Sequence, residues 1–241
     1  MTLFKFLLLV IALLFSAGNI FWAQKSRFKY EKSGWMYLSL TASPDYCYRV
    51  RKSNANLNWY TNDAKYEKAA LGYHASLTAI YKTKRLFSFE MGIRYSVMGY
   101  NTASRPYYFT SDSVTFRSTY TSNYLDFPLG VCFSTGQNRL QFTGGLFLFP
   151  SLHISGATIN YISYPGQTEF RDPAEVGSYM NLRIFGFWSV TAGCRYELTK
   201  RWSVLLRPEF KMAFHSTTYA AKLWSAGINL GIYYSLTKST Q

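Results

Sequence analysis

Apolar residues occupy every second position through several stretches of the chain. Between Phe87 and Val97 the odd positions are all apolar, whereas the even positions hold Ser, Gly, Glu90 and Arg94. A two-residue period is that of a β-strand, because on a helix the same step would distribute the apolar side chains around every side. The pattern therefore predicts a strand with one apolar face and one face that carries charge.

The same period recurs elsewhere, so the chain is expected to form eight strands. Short turn segments follow strands two, four and six, whereas long polar links separate the other strands. Such alternation is typical of an up-and-down transmembrane barrel with short periplasmic turns and long outer loops. Parts of the long links, such as 114–120, are β-prone, so the strands are expected to project beyond the membrane as hairpins. The strands are expected at about 35–42, 71–81, 86–100, 124–134, 140–148, 180–198, 202–214 and 224–234.

A soluble barrel with its apolar face inward is the structural alternative. The interior of an eight-stranded barrel is just wide enough for side chains or one small ligand. It is too narrow for the bulkiest apolar residues of the alternating segments, which are Phe87, Phe89, Phe127, Phe133, Phe142, Trp202, Phe210, Trp224 and Tyr234. The apolar face is therefore predicted to contact lipid. The predicted fold class is all-β, an eight-stranded antiparallel up-and-down transmembrane β-barrel.

The opposite face of the strands is small and polar, and it is predicted to fill a narrow lumen. Eight charged residues are expected to form a salt-bridge network there: Glu90, Arg94, Asp126, Arg195, Glu197, Arg207, Glu209 and Lys211. Within this network, loss of Arg94 is expected to remove one partner of Glu90, with partial compensation by nearby Arg and Lys residues and by trapped water. Pore-lining is the alternative role for these charges, but eight strands leave little bore.

The composition fits a membrane barrel that meets anionic partners. Aromatic residues make up 19% of the chain and charged residues 16%, against roughly 25% charged residues in ordinary soluble domains. The net charge of +14 suits outer-membrane lipid and lipopolysaccharide as partners. No run of Lys and Arg resembles a nucleic-acid-binding stripe, so nucleic acid is not an expected partner.

The first residues are typical of a secretory signal peptide. Lys5 precedes an apolar segment from Phe6 to Phe15, and small residues follow. An uncleaved membrane anchor is the alternative, but about ten apolar residues are fewer than the roughly twenty that a membrane helix needs. The interpretation is a cleaved signal peptide over 1–23, with a cut near Gly18 as the alternative, a short periplasmic lead over 24–34 and a barrel domain over 35–241. The protein is expected in the cell outer membrane.

The final strand carries a second targeting pattern. Asn229, Gly231, Tyr234 and Leu236 read polar-x-Gly-x-x-aromatic-x-hydrophobic, which is similar to the terminal signal that the barrel assembly machinery recognises. That machinery is therefore an expected partner. The alternative is that any amphipathic last strand produces this spacing.

The sequence offers little for catalysis or metal binding. It contains no P-loop, GxGxxG, GxSxG or HExxH motif. Three histidines are scattered, and the three cysteines lack zinc-ligand spacing, so they are expected to be free thiols. No catalytic residue, cofactor or metal site is predicted. A lipid A-modifying enzyme built on His74, with Asp126 near it in the lumen, is the enzymatic alternative.

Three segments resemble a known family. LFSFEMGIRYSVMGY, YLDFPLGV and RYELTKRWSVLLRPEFK are similar to the PorT-like, or outer-membrane β-barrel domain, proteins of Bacteroidota, and the resemblance extends from about Trp35 to Leu236. It rests on Tyr124, Leu125, Pro128 and Leu129 in one element and on Tyr196, Leu198, Arg201 and Pro208 in another. The resemblance implies the barrel fold and an outer-membrane location.

Together these observations predict a non-enzymatic outer-membrane protein that presents Tyr-rich, basic loops as an envelope or interaction component. The founding protein of the family is similar to a factor for type IX secretion, which implies an alternative role as an accessory subunit of protein secretion, with secretion-system subunits as partners. A lipid A-modifying enzyme is the second alternative.

Overall fold

The computed structural model describes residues 35–51, 66–83, 87–106, 114–135, 139–175, 184–215 and 221–236. The predicted signal peptide and periplasmic lead lie outside these residues. No α-helix occurs in the described ranges, and accordingly they contain no helix that could cross a membrane. The strands are β1 (Trp35–Arg51), β2 (Glu67–Lys82), β3 (Phe87–Thr102), β4 (Arg105–Pro106), β5 (Thr115–Asp126), β6 (Leu129–Thr135), β7 (Leu140–Ser163), β8 (Phe170–Glu175), β9 (Ile184–Glu197), β10 (Trp202–Ala213) and β11 (Ala221–Ser235).

The strands close into a ring of antiparallel pairs. β1 pairs with both β2 and β11, so the first and last strands are neighbours. From β11 the ring continues through β10, β9 and β7, and from there through β5 and β6 to β3, which pairs with β2. β5 and β6 follow one another between β3 and β7, so together they form one strand of the wall. The eight-stranded antiparallel barrel predicted from the sequence is confirmed.

The wall strand made by β5 and β6 is interrupted at Phe127 and Pro128. Proline has no N–H to donate to a ladder, so within a sheet it is confined to edges, strand starts or bulges. The Phe127 N–H still donates to the Pro150 carbonyl at 2.9 Å, which keeps the two halves of the strand against β7.

Two strands are longer than the sequence predicted. The first was expected to end near 42, but β1 continues through Pro44 to Arg51; the fifth was expected to end near 148, but β7 continues to Ser163. Pro44 is tolerated because it keeps its partner Tyr73 in β2, while the register with β11 skips it. β7 continues because β5 pairs with it as far as Ser163 and β8 pairs with its outer part. The strand expected over 114–120 is confirmed as the start of β5.

The two ends of the barrel differ in their connections. We call the end where β2–β3, β6–β7 and β9–β10 are joined the tight-turn end, and the opposite end the long-loop end. In outer-membrane barrels the short turns face the periplasm and the long loops face outward. The outer parts of β5 and β7, together with β4 and β8, form a sheet beyond the long-loop end, which we call the outer sheet.

The faces of the wall are assigned as the alternation predicted. On β3, Ile93 is 54% exposed whereas its neighbour Arg94 is 3% exposed. Large apolar side chains are exposed in the same alternating way on the other wall strands, for example Leu40, Leu77 and Leu230. A barrel with an apolar interior and a polar exterior would show the opposite pattern, so the soluble alternative is wrong.

The lumen is less polar than the sequence predicted. Phe147, Phe149 and Phe187 point inward and are almost fully buried. Phe147 fits because a glycine faces it: a Cβ on Gly130, its cross-strand partner, would lie 2.3 Å from its ring. Phe149 and Phe187 are cross-strand partners of each other. Large aromatic rings therefore share the lumen with the polar and charged side chains.

Candidate functional site in the lumen

The eight charged residues assigned to the lumen differ in burial. Seven are buried inside the barrel: Glu90, Arg94, Asp126, Arg195, Arg207, Glu209 and Lys211. The eighth, Glu197, is the last residue of β9 at the tight-turn end, and its side chain is 38% exposed.

Arg94 pairs across the lumen with Glu209. Its two terminal nitrogens donate to the two carboxylate oxygens at 2.9 and 3.0 Å, which is the bidentate geometry of a strong ion pair. The guanidinium also lies 4.6 Å from the ring centre of Phe149. β3 and β10 are not neighbours in the sheet, so this ion pair exists only because the barrel closes.

Glu90 pairs with Arg207 rather than depending on Arg94. Arg207 Nη1 donates to Glu90 at 3.1 Å, and Thr78 donates to the same carboxylate at 3.1 Å. Glu90 therefore keeps a partner without Arg94, and the nearby arginine expected to compensate is Arg207. Four residues along a strand span about 13 Å, so the closest charges come from strands across the lumen.

Lys211 and Asp126 form a third buried ion pair. The Lys211 ammonium donates to the Asp126 carboxylate, and Ser96 donates to the same oxygen at 2.6 Å. Lys211 also lies 4.5 Å from the ring centre of Phe187. Each of these three cations therefore has its own carboxylate and an aromatic ring beside it, since Arg207 lies 5.0 Å from the centre of Phe147.

A histidine buried in the lumen contacts one of these ion pairs through Asn229. His74 Nδ1 lies 2.7 Å from Asp45 Oδ2, and its Nε2 lies 2.6 Å from Asn229 Oδ1. Asn229 Nδ2 donates to Glu209 at 2.7 Å, which fixes the orientation of the amide. Both ring nitrogens therefore have an oxygen within hydrogen-bond distance, and neither is free.

The sequence interpretation missed Asp45 and gave Asn229 a different role. Asp45 lies beyond the expected end of the first strand, yet the inward alternation of Ser39, Thr41 and Ser43 continues to it. That continued alternation was the signal that could have identified it. Its place is tight, because a Cβ on Gly227 would lie 1.9 Å from Asp45 Oδ1.

The expected enzymatic alternative required His74 to act with a hydroxyl and an acid. In the structure both ring nitrogens contact Asp45 and Asn229, and Asp126 contacts Lys211 and Ser96 instead. In the described part of the chain, no three His, Cys, Asp or Glu residues are placed to hold a metal ion. Cys47, Cys132 and Cys194 are free thiols.

The residues of the expected assembly signal lie on both faces of β11 and at its end. Asn229 is fully buried in the lumen, whereas Leu236 is 49% exposed. The ring of Tyr234 lies 4.7 Å from that of Trp202, near the tight-turn end. Gly231 allows close approach to β1, because a Cβ there would lie 2.6 Å from Thr41 Cγ2.

The outer sheet carries an ion pair of its own. Arg117 donates to both oxygens of Glu169 at 2.8 and 2.6 Å, and its guanidinium lies 4.2 Å from the ring centre of Tyr161. The hydrogen bonds from Arg117 hold the pKa of the Glu169 carboxyl below its ordinary value.

Several solved outer-membrane barrels are similar to the chain. Neisserial surface protein A is 12% identical, with 84% of this chain and 99% of that one covered and a TM-score of 0.43. AlkL in DMPC lipid bilayers is 9% identical, with coverage of 90% and 99% and a TM-score of 0.43. OprG from Pseudomonas aeruginosa is 13% identical, with coverage of 87% and 98% and a TM-score of 0.40.

The comparison with curated protein sequences finds no match. The model of the family described as "Outer membrane protein beta-barrel domain" matches residues 51–241, which include every wall strand except most of β1. The chain therefore belongs to the outer membrane protein beta-barrel domain family, and the protein is located in the outer membrane.

Proposed function

We propose that the protein is a non-enzymatic component of the cell envelope, in which a closed barrel anchors the outer sheet for interaction with partners outside the membrane. The observation that carries the proposal is the contrast between the lumen and the outer sheet. The lumen is filled by paired charges and aromatic rings. By contrast, β5 and β7 continue well past the last pairing of β7 with β9 and remain paired with each other as far as Thr115 and Ser163.

The filled lumen supports an anchoring role over a channel role. Three buried ion pairs and the inward rings of Phe147, Phe149 and Phe187 occupy the interior. Opening a path would require these pairs to separate in a medium where an unpaired charge is very costly.

The hydrogen bonds of His74 support a non-enzymatic role. A general base needs a free nitrogen within hydrogen-bond reach of the group it deprotonates. Both nitrogens of His74 are instead held by Asp45 and Asn229, and the ring is buried.

The outer sheet supports an interaction role. Ile154 and Phe170 of this sheet are exposed, as is Tyr164 in the link between β7 and β8. The Arg117–Glu169 pair links β5 to the segment before β8. The net charge of +14 favours anionic partners, so lipopolysaccharide and anionic lipid are the proposed partners at the membrane. The barrel assembly machinery is the proposed partner during insertion.

A place among the PorT-like barrels of Bacteroidota, and with it an accessory role in protein secretion, is the second candidate. It is favoured by the sequence elements at Tyr124 and Pro128 and at Tyr196 and Pro208. Tyr124 and Pro128 are almost fully buried at the junction of β5 and β6. These two residues therefore support a barrel wall like that of the PorT-like proteins more directly than they support a common secretion partner.

The test is recovery of partners from outer membranes after cross-linking in intact cells. The tagged wild type is compared with Arg117→Ala, which alters the outer sheet, and with Arg201→Gln at the tight-turn end. We expect the wild type and Arg201→Gln to recover the same partners and Arg117→Ala to recover less of them. Recovery of secretion-machine subunits would favour the second candidate, and no partner from a folded barrel would contradict both.

The enzymatic alternative has a separate test. A lipid A mass change in a deletion strain, restored by wild type but not by a folded His74→Ala protein, would contradict the non-enzymatic proposal. We expect identical lipid A masses in all three strains.

A further inference from the structure

A small cavity lies in the lumen at the tight-turn end. Its lining comes from all eight strands of the wall, and the polar residues include Lys82, Ser88, Glu90, Thr143, Arg195 and Arg207. Its volume is about 20 Å³, which is enough for one water-sized species, since about 10–15 Å³ is the minimum for a water molecule.

The lining carries more positive than negative charge. Lys82, Arg195 and Arg207 contribute cations, and Glu90 is the carboxylate among the lining residues. Arg207 already forms an ion pair with Glu90 at 3.1 Å. Arg195 is the other buried arginine of the lining.

Arg195 differs from the other buried cations of the lumen. Arg94, Arg207 and Lys211 each hydrogen-bond to a buried carboxylate. The hydrogen bond of Arg195 goes to the neutral amide of Gln141 at 2.6 Å. Its nearest carboxylate is Glu197 at 3.6 Å, on a side chain that is 38% exposed.

Three residues of the lining each have a buried polar atom without a hydrogen-bond partner in the protein: Arg195 at Nε, Arg207 at Nε and Thr143 at Oγ1. The two arginines are only 5% and 3% exposed. An unsatisfied buried donor costs roughly 1–3 kcal/mol, and more when it is charged. A species that accepts hydrogen bonds and carries negative charge would satisfy these donors and give the Arg195 guanidinium a hydrogen-bonded anionic partner.

We propose that this cavity binds a single small inorganic anion of the size of chloride. The small volume suits a monatomic anion, and the rings of Tyr37 and Tyr233, whose centres lie 5.0 and 5.7 Å from the Arg195 guanidinium, form part of its wall. The bound anion completes the ion pairing of the lumen at the end that faces the periplasm. The Arg195 guanidinium is its principal ligand.

Bromide is the probe, because it replaces chloride and is located by anomalous diffraction. Crystals of the detergent-folded full barrel are soaked in sodium bromide. We expect one anomalous peak in the cavity, within hydrogen-bond distance of Arg195. A cavity that holds water without a peak would overturn the proposal.

Two variants distinguish a built site from chance binding. Arg195→Gln is expected to remove the peak, whereas Arg201→Gln, the same change at the exposed turn nearby, is expected to keep it. A peak that persists in Arg195→Gln would mean an adventitious ion only. If Arg195→Gln does not fold, Thr143→Val is used instead, with reduced bromide occupancy as the expected result and unchanged occupancy as the contradicting one.

A solution measurement gives a second readout. The midpoint of thermal unfolding is compared in sodium chloride and in sodium gluconate at equal ionic strength. A ligand that binds only the folded state raises this midpoint. We expect a higher midpoint in chloride for the wild type and for Arg201→Gln, and equal midpoints for Arg195→Gln. Equal midpoints for the wild type would contradict the proposal.

Discussion

Ile93 and Arg94 are adjacent in β3, yet they face environments with opposite requirements. Ile93 is 54% exposed on the outer face, where hydrocarbon accepts any apolar side chain. Arg94 is 3% exposed and requires the two oxygens of Glu209 in one geometry. The outer face therefore requires only that its side chains be apolar, whereas the stability of the lumen requires particular pairs of residues.

The largest effect is expected from breaking a lumen pair. Glu209→Gln removes the charge that faces Arg94 and His74, and we expect it to lower the free energy of unfolding by about 3–5 kcal/mol, the usual cost of stranding a buried charge. The measurement is urea unfolding of the barrel in lipid vesicles, followed by heat-modifiable gel mobility.

The matched control is Glu197→Gln, the same change on a half-exposed carboxylate, with an expected cost below about 1 kcal/mol. The double variant Arg94→Met/Glu209→Leu is expected to recover most of the loss, because replacing both partners leaves no stranded charge. Equal losses in the free energy of unfolding for Glu209→Gln and Glu197→Gln would contradict the distinction between the buried lumen and the tight-turn end.

A somewhat smaller effect is expected on the outer face. Ile93→Arg places a charge in hydrocarbon, and we expect a loss of about 2–4 kcal/mol near the middle of the membrane. The control is Ile154→Arg, since Ile154 is 55% exposed but lies two residues beyond the last pairing of β7 with β9.

At Ile154 the change is expected to cost no more than about 0.5 kcal/mol, as at other surface sites. Both variants are measured by the same unfolding assay in vesicles. A barrel that tolerates arginine equally at 93 and 154 would contradict the assignment of the outer face of β3 to lipid.

The smallest effect is expected in the outer sheet, where the Arg117–Glu169 pair is exposed. Because the pKa of Glu169 is lowered in the folded state, its contribution to stability is present above the ordinary pKa of a glutamate. It is lost as the pH falls through the lowered value. Protection of the β8 amides from hydrogen exchange should therefore decrease in acid. Arg117→Gln should reduce the protection of the β8 amides at neutral pH and abolish its decrease in acid. If the protection of these amides varies with pH in Arg117→Gln as it does in the wild type, the pair has no such role.

The structure extends the sequence interpretation mainly at the long-loop end. Pro44 and Ser151 were expected to lie in loops, because prolines and polar residues usually end strands. β1 and β7 continue past them because neighbouring strands supply hydrogen bonds on at least one side. Whether these hydrogen-bond partners are present depends on how long the neighbouring strands are. The sequence around Pro44 or Ser151 does not encode that length. Asp45, and with it the environment of His74, was missed for this reason.

The sequence alone determined the number of wall strands and the face on which each residue lies. Alternation is a local property, because successive side chains of a strand point to opposite sides whatever its neighbours are. The size of the apolar side chains then decided which face contacts lipid, because the interior of an eight-stranded barrel has little volume.

Only the tertiary structure decided which residues meet inside the barrel. Glu90 and Arg94 share a strand and a face, but their partners, Arg207 and Glu209, come from β10. Closure of the sheet brings β3 and β10 close enough for long side chains to meet across the lumen. The register of the strands then decides which side chains lie at the same height along the barrel. Partner choice in the lumen is therefore a property of the closed ring, whereas the choice of face belongs to each strand by itself.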